Sequence, residues 1–292
     1  MSRQTKDLWI ARRRRAVELA EELVSQTGNK FPVNLGRIAQ RRLVRSVELR
    51  PLLIDGGLAV LKNGFIIYVK CGAGEGDDLT EKFAQDGIGT KLPTSMIHRA
   101  RFTIAHEIAH TFFYKINSEP PEPKFELKTV RSVASLERAC NLTAGVLLLP
   151  ESILEGDFAN VDLSRPENLS NLADSALVSK HVLVRRFQQL RRFSHPPGII
   201  VCVIRRDNNW VIDSISRHYS LREMFSRAID NAPLSELIDH PDFLPFGGEM
   251  SEVDVEVVCT GGKIRIMRFE CDPVIRFQQR GSFFVTARYT VC

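Results

Sequence analysis

The chain has 292 residues, more than one hydrophobic core usually holds, so two domains are expected. Hydrophobic content of 43% and charged content of 26% are ordinary for a soluble globular protein, and the net charge of +5 permits nucleic acid as a partner without demanding it. No run is long and apolar enough to span a bilayer, the basic N-terminus lacks the apolar stretch of a secretory signal, and six scattered cysteines without a C-x-x-C pair read as reduced thiols, so a cytoplasmic protein that does not enter membranes is expected.

Residues 6 to 26 read as an amphipathic helix, with Ala16, Leu19, Ala20, Leu23 and Val24 at three- and four-residue steps. The run Arg12 to Arg15 inside it reads as a solvated face rather than a nucleic-acid patch. After Pro32 comes a short helix with Leu35, Ile38, Ala39 and Leu43 on one side. "GGLAVLKNGFIIYVKC" is two apolar runs around Asn63-Gly64, a dipeptide that tolerates the positive φ of a tight hairpin. The Gly- and Asp-rich stretch that follows reads as a loop, because it lacks the Lys-Ser/Thr of a phosphate loop and carries Glu75, Asp77 and Asp78, which repel phosphate.

A helix resumes near residue 99 and carries "RFTIAHEIAHTFFY", residues 101 to 114. A proline-rich loop follows, then a helix over about 132 to 149 that stops at Pro150. Residues 167 to 192 read as two short helices around Val178-Ser179, with Ser179 capping the second. "SHPPG", 194 to 198, marks a boundary, beyond which short strands surround a helix near 220 to 230. The expected class is α+β, divided into domains at 1–195 and 196–292.

The motif helix carries the chemistry. Positions four apart lie on one helix face, so His106 and His110 project side by side and can both reach one Zn²⁺. Glu107 points beside such an ion, where a general base belongs. Two histidines and a glutamate unpaired in an apolar helix would be costly, and a metal partners them at once. The next helix offers Glu137 as third ligand and Asn141, one turn on, to accept the outer N–H of a ligand histidine. His98, His181 and Glu151 are rival third ligands.

The series Arg101, Phe102, Thr103, Ala105, His106, Glu107 and His110, followed by Glu137, Ala139, Asn141, Ala144, Leu147, Leu148 and Pro150, resembles the ImmA/IrrE family of metallopeptidases. The pattern is specific over 99 to 150 and looser over 30 to 195, where Val178-Ser179 and Arg186 resemble a helix-turn-helix-like end spanning about 167 to 192. The chain departs from the family in its long stretch near 73 to 90 and its long proline loop near 115 to 128. The resemblance implies a zincin-like endopeptidase domain with a small sheet. It implies zinc held by His106, His110 and Glu137, with Glu107 as base, and a helix-turn-helix repressor as the protein substrate whose cleavage derepresses genes. It also raises a GAF-like sensor as a candidate for the last domain. Tyr114, one turn past His110, is a candidate oxyanion donor, set against a packed aromatic beside Phe112 and Phe113. The rival reading is a regulator that binds DNA or a repressor without cutting, using Lys180, Arg185, Arg186, Arg191 and Arg192 on phosphates.

Overall fold

A computed structural model describes residues 3–28, 30–71, 94–127, 129–158, 160–163, 165–190, 198–206, 209–217, 252–258, 264–271 and 282–289. The Gly- and Asp-rich loop, Arg191, Arg192, most of the 194–198 boundary and the expected helix near 220 to 230 lie outside them. The described residues form an α+β structure in two compact units: 1–157 with 176–178, and 158–175 with 179–292. No described helix is long and apolar enough to cross a membrane.

The first unit opens with α1 (Arg3–Thr27), which buries Ala16, Ala20, Leu23 and Val24 and leaves Arg14 paired to Glu18 one turn away in solvent. Helix α2 (Leu35–Arg41) starts where the Asn34 side chain accepts the Arg37 N–H. It ends before Leu43, which adopts φ +59° instead of extending the helix.

A three-stranded sheet follows, ordered β1 (Val44–Arg50), β3 (Gly64–Lys70), β2 (Gly56–Leu61). The expected hairpin is present: β2 and β3 are antiparallel, with Leu61 opposite Gly64 at φ +150°. A Cβ at Gly64 would run into the Leu43 carbonyl, so packing as well as backbone angle requires glycine there. Strand β1 pairs parallel to β3 with a register shift between Val44 and Ser46. That irregularity breaks period-two alternation and explains why β1 carries no clear strand signal in the sequence.

Helix α3 (Thr94–Thr111) packs on β2 and β3, and α4 (Val130–Leu148) packs on α3 and α1. Arg42 ties down the C-terminal end of α3: Nε donates to Thr111 Oγ1 at 3.1 Å and a terminal amine donates to the Thr111 carbonyl at 2.6 Å. Thr129 and Ser132 form a capping box that fixes the start of α4. Between α3 and α4 lies a two-residue pairing of β4 (Tyr114–Lys115) with β5 (Glu122–Pro123). The Phe125 ring then wedges between Trp9 and Phe113, under the Arg12 guanidinium. A short helix α5 (Glu151–Asp157) follows Pro150, its first N–H donated to Glu21 of α1.

The second unit contains α6 (Pro166–Ala176), α7 (Lys180–Gln189) and a five-stranded antiparallel sheet. Its strands β6 (Gly198–Arg206), β7 (Asn209–Arg217), β8 (Glu252–Val258), β9 (Ile264–Cys271) and β10 (Ser282–Tyr289) run in the order β7-β6-β10-β9-β8. Ser179 caps α7 as expected, accepting the Val182 N–H, and α7 packs against β6 and β7.

Candidate metal centre

Four-residue spacing aligns two stripes. On α3, Phe102, His106 and His110 follow each other at one-turn steps; on α4, Val133, Glu137 and Asn141 do the same. The helices run antiparallel here, because His106 meets Asn141 while His110 meets Glu137. His106 Nε2 lies 3.0 Å from His110 Nε2 and 3.2 Å from Glu137 Oε2, and His110 Nε2 lies 3.5 Å from Glu137 Oε1. Ligand atoms placed about 2.0–2.1 Å from one tetrahedral ion stand roughly 3.3–3.4 Å apart. The three groups are therefore already at coordinating separations, and they form a group able to hold a metal ion.

Hydrogen-bond chemistry makes the case sharper. His106 Nδ1 lies 3.0 Å from Asn141 Oδ1, which can only accept, so in the neutral ring Nδ1 carries the proton and Nε2 offers its lone pair. That lone pair faces a carboxylate. A proton on His110 Nε2 can serve His106 or Glu137 but not both well, whereas a divalent cation satisfies all three acceptors. Burial, then the neighbouring His106 ring, pulls His110 down to about 4, so it is neutral at pH 7 as a ligand must be.

Glu107 is buried beside this group. Burial first and the Glu137 charge second push its carboxyl up to about 7. Its surroundings include a feature absent from the sequence reading: Gly56, the first residue of β2. A Cβ there would stand 3.3 Å from Glu107 Oε1 and 3.0 Å from the Tyr68 carbonyl, and would collide with Thr103 Cγ2. Glycine thus lets the edge strand close on the base. Cys140, behind Glu137 on α4, is fully buried, and burial pushes its thiol up, keeping it protonated and inert.

His106, Glu107, His110, Tyr114, Glu137 and Asn141 all line one cleft of about 680 Å³ within the first unit. Tyr114 is half-buried, edge-on to Phe65 at 5.3 Å, and burial raises its hydroxyl. None of His98, His181 and Glu151 joins the metal-capable group, which is the one such group among the described residues. The sequence reading does not assign the cleft's apolar wall, which includes Ile54, Leu58, Phe102, Leu127 and Val133. Val133 and Phe102 were recoverable, since each precedes a site residue by one turn.

No family model matches the chain, and neither does any curated protein. Among solved structures, a Mycobacterium tuberculosis transcriptional regulator aligns with a TM-score of 0.47 at 15% identity, over 97% of this chain and 92% of that chain.

Proposed function

We propose that the chain is a metal-dependent endopeptidase, with zinc as the expected ion and a protein as its substrate. The reading rests on the convergence of His106 Nε2, His110 Nε2 and the Glu137 carboxylate with the buried carboxylate of Glu107 beside them. Zinc held by such a set supplies Lewis acidity, activating water near neutral pH and polarising a peptide carbonyl. The motif resemblance extends the reading to a helix-turn-helix repressor as substrate. It also treats 1–195 as a zincin-like peptidase domain and 196–292 as a sensor or interaction domain.

The chain's own residues have defined parts in this reading. Glu107, shifted toward neutrality, takes a proton from the attacking water and returns it to the leaving amine. Asn141 orients His106. Tyr114 lines the same cleft and is the candidate donor to the developing oxyanion. Backbone recognition is available at β2, because β3 is the middle strand and β2 an edge strand among the described residues. The Lys70 N–H donates to the Asp55 carbonyl, which sets the phase of the ladder. Gly56 and Leu58 therefore turn their peptide groups away from β3, where an extended substrate can pair.

The rival reading, a regulator that binds without cutting, is separated by one substitution. The zinc-loaded full chain, mixed with the repressor encoded beside its gene, is expected to give discrete fragments. Glu107→Gln should bind zinc equally and give none. Release of the repressor from its operator by the Gln variant would overturn the peptidase reading in favour of the regulator.

A further inference from the structure

Five of the eight exposed large apolar side chains among the described residues gather in neighbouring segments; the other three, Leu8 and Ile10 on α1 and Val60 on β2, stand apart from them. Leu53 is 99%, Ile54 67%, Leu127 41%, Val130 86% and Val133 43% exposed. Ile54, Leu127 and Val133 line the cleft that holds the metal-capable group, and each of the five lies in a segment bordering it. Water-exposed aliphatic surface is costly, and its clustering at a site marks what the site binds.

Contacts along its walls order the cleft from end to end. Asp55 pairs with Arg99, Gly56 abuts Thr103 and Glu107, and Val60 lies opposite Phe65, whose ring meets Tyr114. Strand β2 therefore runs alongside α3 in the same direction. On the opposite wall α4 runs antiparallel, from Val133 near the His110 end to Asn141 beside His106. The metal-capable group sits in the middle. Ile54 and Phe102 border the cleft toward the Arg99 end; Leu127 and Val133 border it toward the Tyr114 end. The charged groups lining the cleft are Asp55, Glu107 and Glu137, all acidic. Aliphatic walls favour apolar side chains and leave the charge of an acidic one desolvated without a partner.

Resting on the endopeptidase reading, we infer that the cleft selects an extended polypeptide segment carrying a large apolar side chain on each side of the bond held over His106, His110 and Glu137. One side chain sits against Ile54 and Phe102, the other against Leu127 and Val133.

The test uses the full-length, zinc-loaded Glu107→Gln protein and fluorophore-labelled ten-residue Ala/Ser peptides. These carry Leu, Asp or Lys at the two central positions. By fluorescence anisotropy, the Leu peptide is expected to bind at least about tenfold tighter than the Asp peptide, the scale of discrimination an apolar pocket achieves. Adding Ile54→Asp or Val133→Asp should erase most of that ratio. Leu53→Asp, which removes a still more exposed aliphatic outside the cleft lining, should leave it intact and so controls for general stickiness. Equal binding of the three peptides, or a preference that survives both cleft substitutions, would overturn the inference. Cleavage by the wild-type protein separates the two readings. If the Leu and Asp peptides are cut at equal rates, hydrolysis stands and the apolar selection falls. If the Gln variant selects Leu peptides and the wild type cuts none, the cleft assignment stands and the peptidase reading falls.

Discussion

Helix pairs α3–α4 and α6–α7 look alike in sequence: each sets polar residues into an apolar stripe. The structure treats them differently. In α3 and α4 the polar atoms converge, leaving a gap between acceptors with too few protons to fill it. In α7, Arg186 is buried along with Leu183, Val184 and Phe187 on a helix that packs against β6 and β7, and Lys180 donates to Ser170 of α6 at 2.9 Å. Of the basic residues on α7, Arg185 is the exposed one among those described. A polar pattern signals chemistry when its atoms point at a common empty place. It signals scaffold when the same types are consumed by neighbours.

The sharpest way to break this contrast is to remove one converging group. Glu137→Ala deletes the carboxylate but leaves both imidazoles. It should weaken zinc binding by on the order of a hundredfold or more, since structural-scale affinities divided among a few ligands give about 3 kcal/mol each. Competition against a chelator of known affinity measures it. Arg185→Ala on α7 serves as the matched control and should leave zinc affinity unchanged. Equal affinity in the Glu137 variant would mean that the convergence is accidental.

The pH dependence of the metal-free protein sharpens the same point. Glu107 has its carboxyl raised from 4.5 to about 7, chiefly by burial, so the folded state holds the proton more tightly than the unfolded one. Its stability is therefore complete below pH 4.5, falls as pH rises toward 7, and stays lowered above that, by about 3 kcal/mol at most. His110 has the opposite sign: lowered from 6.5 to about 4, it costs stability as pH falls through that window. Comparing wild type with Glu107→Gln cancels the His110 part. The Gln variant should gain on wild type steadily between pH 4.5 and 7 in urea titrations run with chelator. A difference independent of pH would place Glu107 in a wetter setting than the cleft provides.

How much of this was legible follows from the range of the interactions involved. The His106–His110 pairing and the Glu137–Asn141 pairing are spaced within single helices, and local period placed them on common faces. The Asn63-Gly64 hairpin and the Ser179 cap are equally local. What escaped depends on contacts distant in sequence. Gly56 is required to be small only because Thr103 and Glu107, some fifty residues later, pack over it. Leu127 joins the cleft at the end of a loop pinned by Phe125 against Trp9. The sequence offers Arg186 both as scaffold and, in the rival reading, as a phosphate contact, and only the burial of its helix face separates the two. Strand β1 hides behind its own bulge.

The smallest effect is also the most discriminating. Asn141 touches no ion in the proposed arrangement; it fixes which nitrogen of His106 bears the proton. Asn141→Ala removes that preference and should cost about 10- to 100-fold in zinc affinity. Asn141→Asp keeps an acceptor at the same position and adds charge, so it should restore affinity to wild-type level or better. Because Asn141 is exposed, neither change should move the urea midpoint by much more than surface substitutions do, about 0.5 kcal/mol. A scaffold role predicts the reverse: lost stability with zinc affinity untouched. Imidazole proton resonances, which report the His106 tautomer directly, decide between the two before any substrate is known.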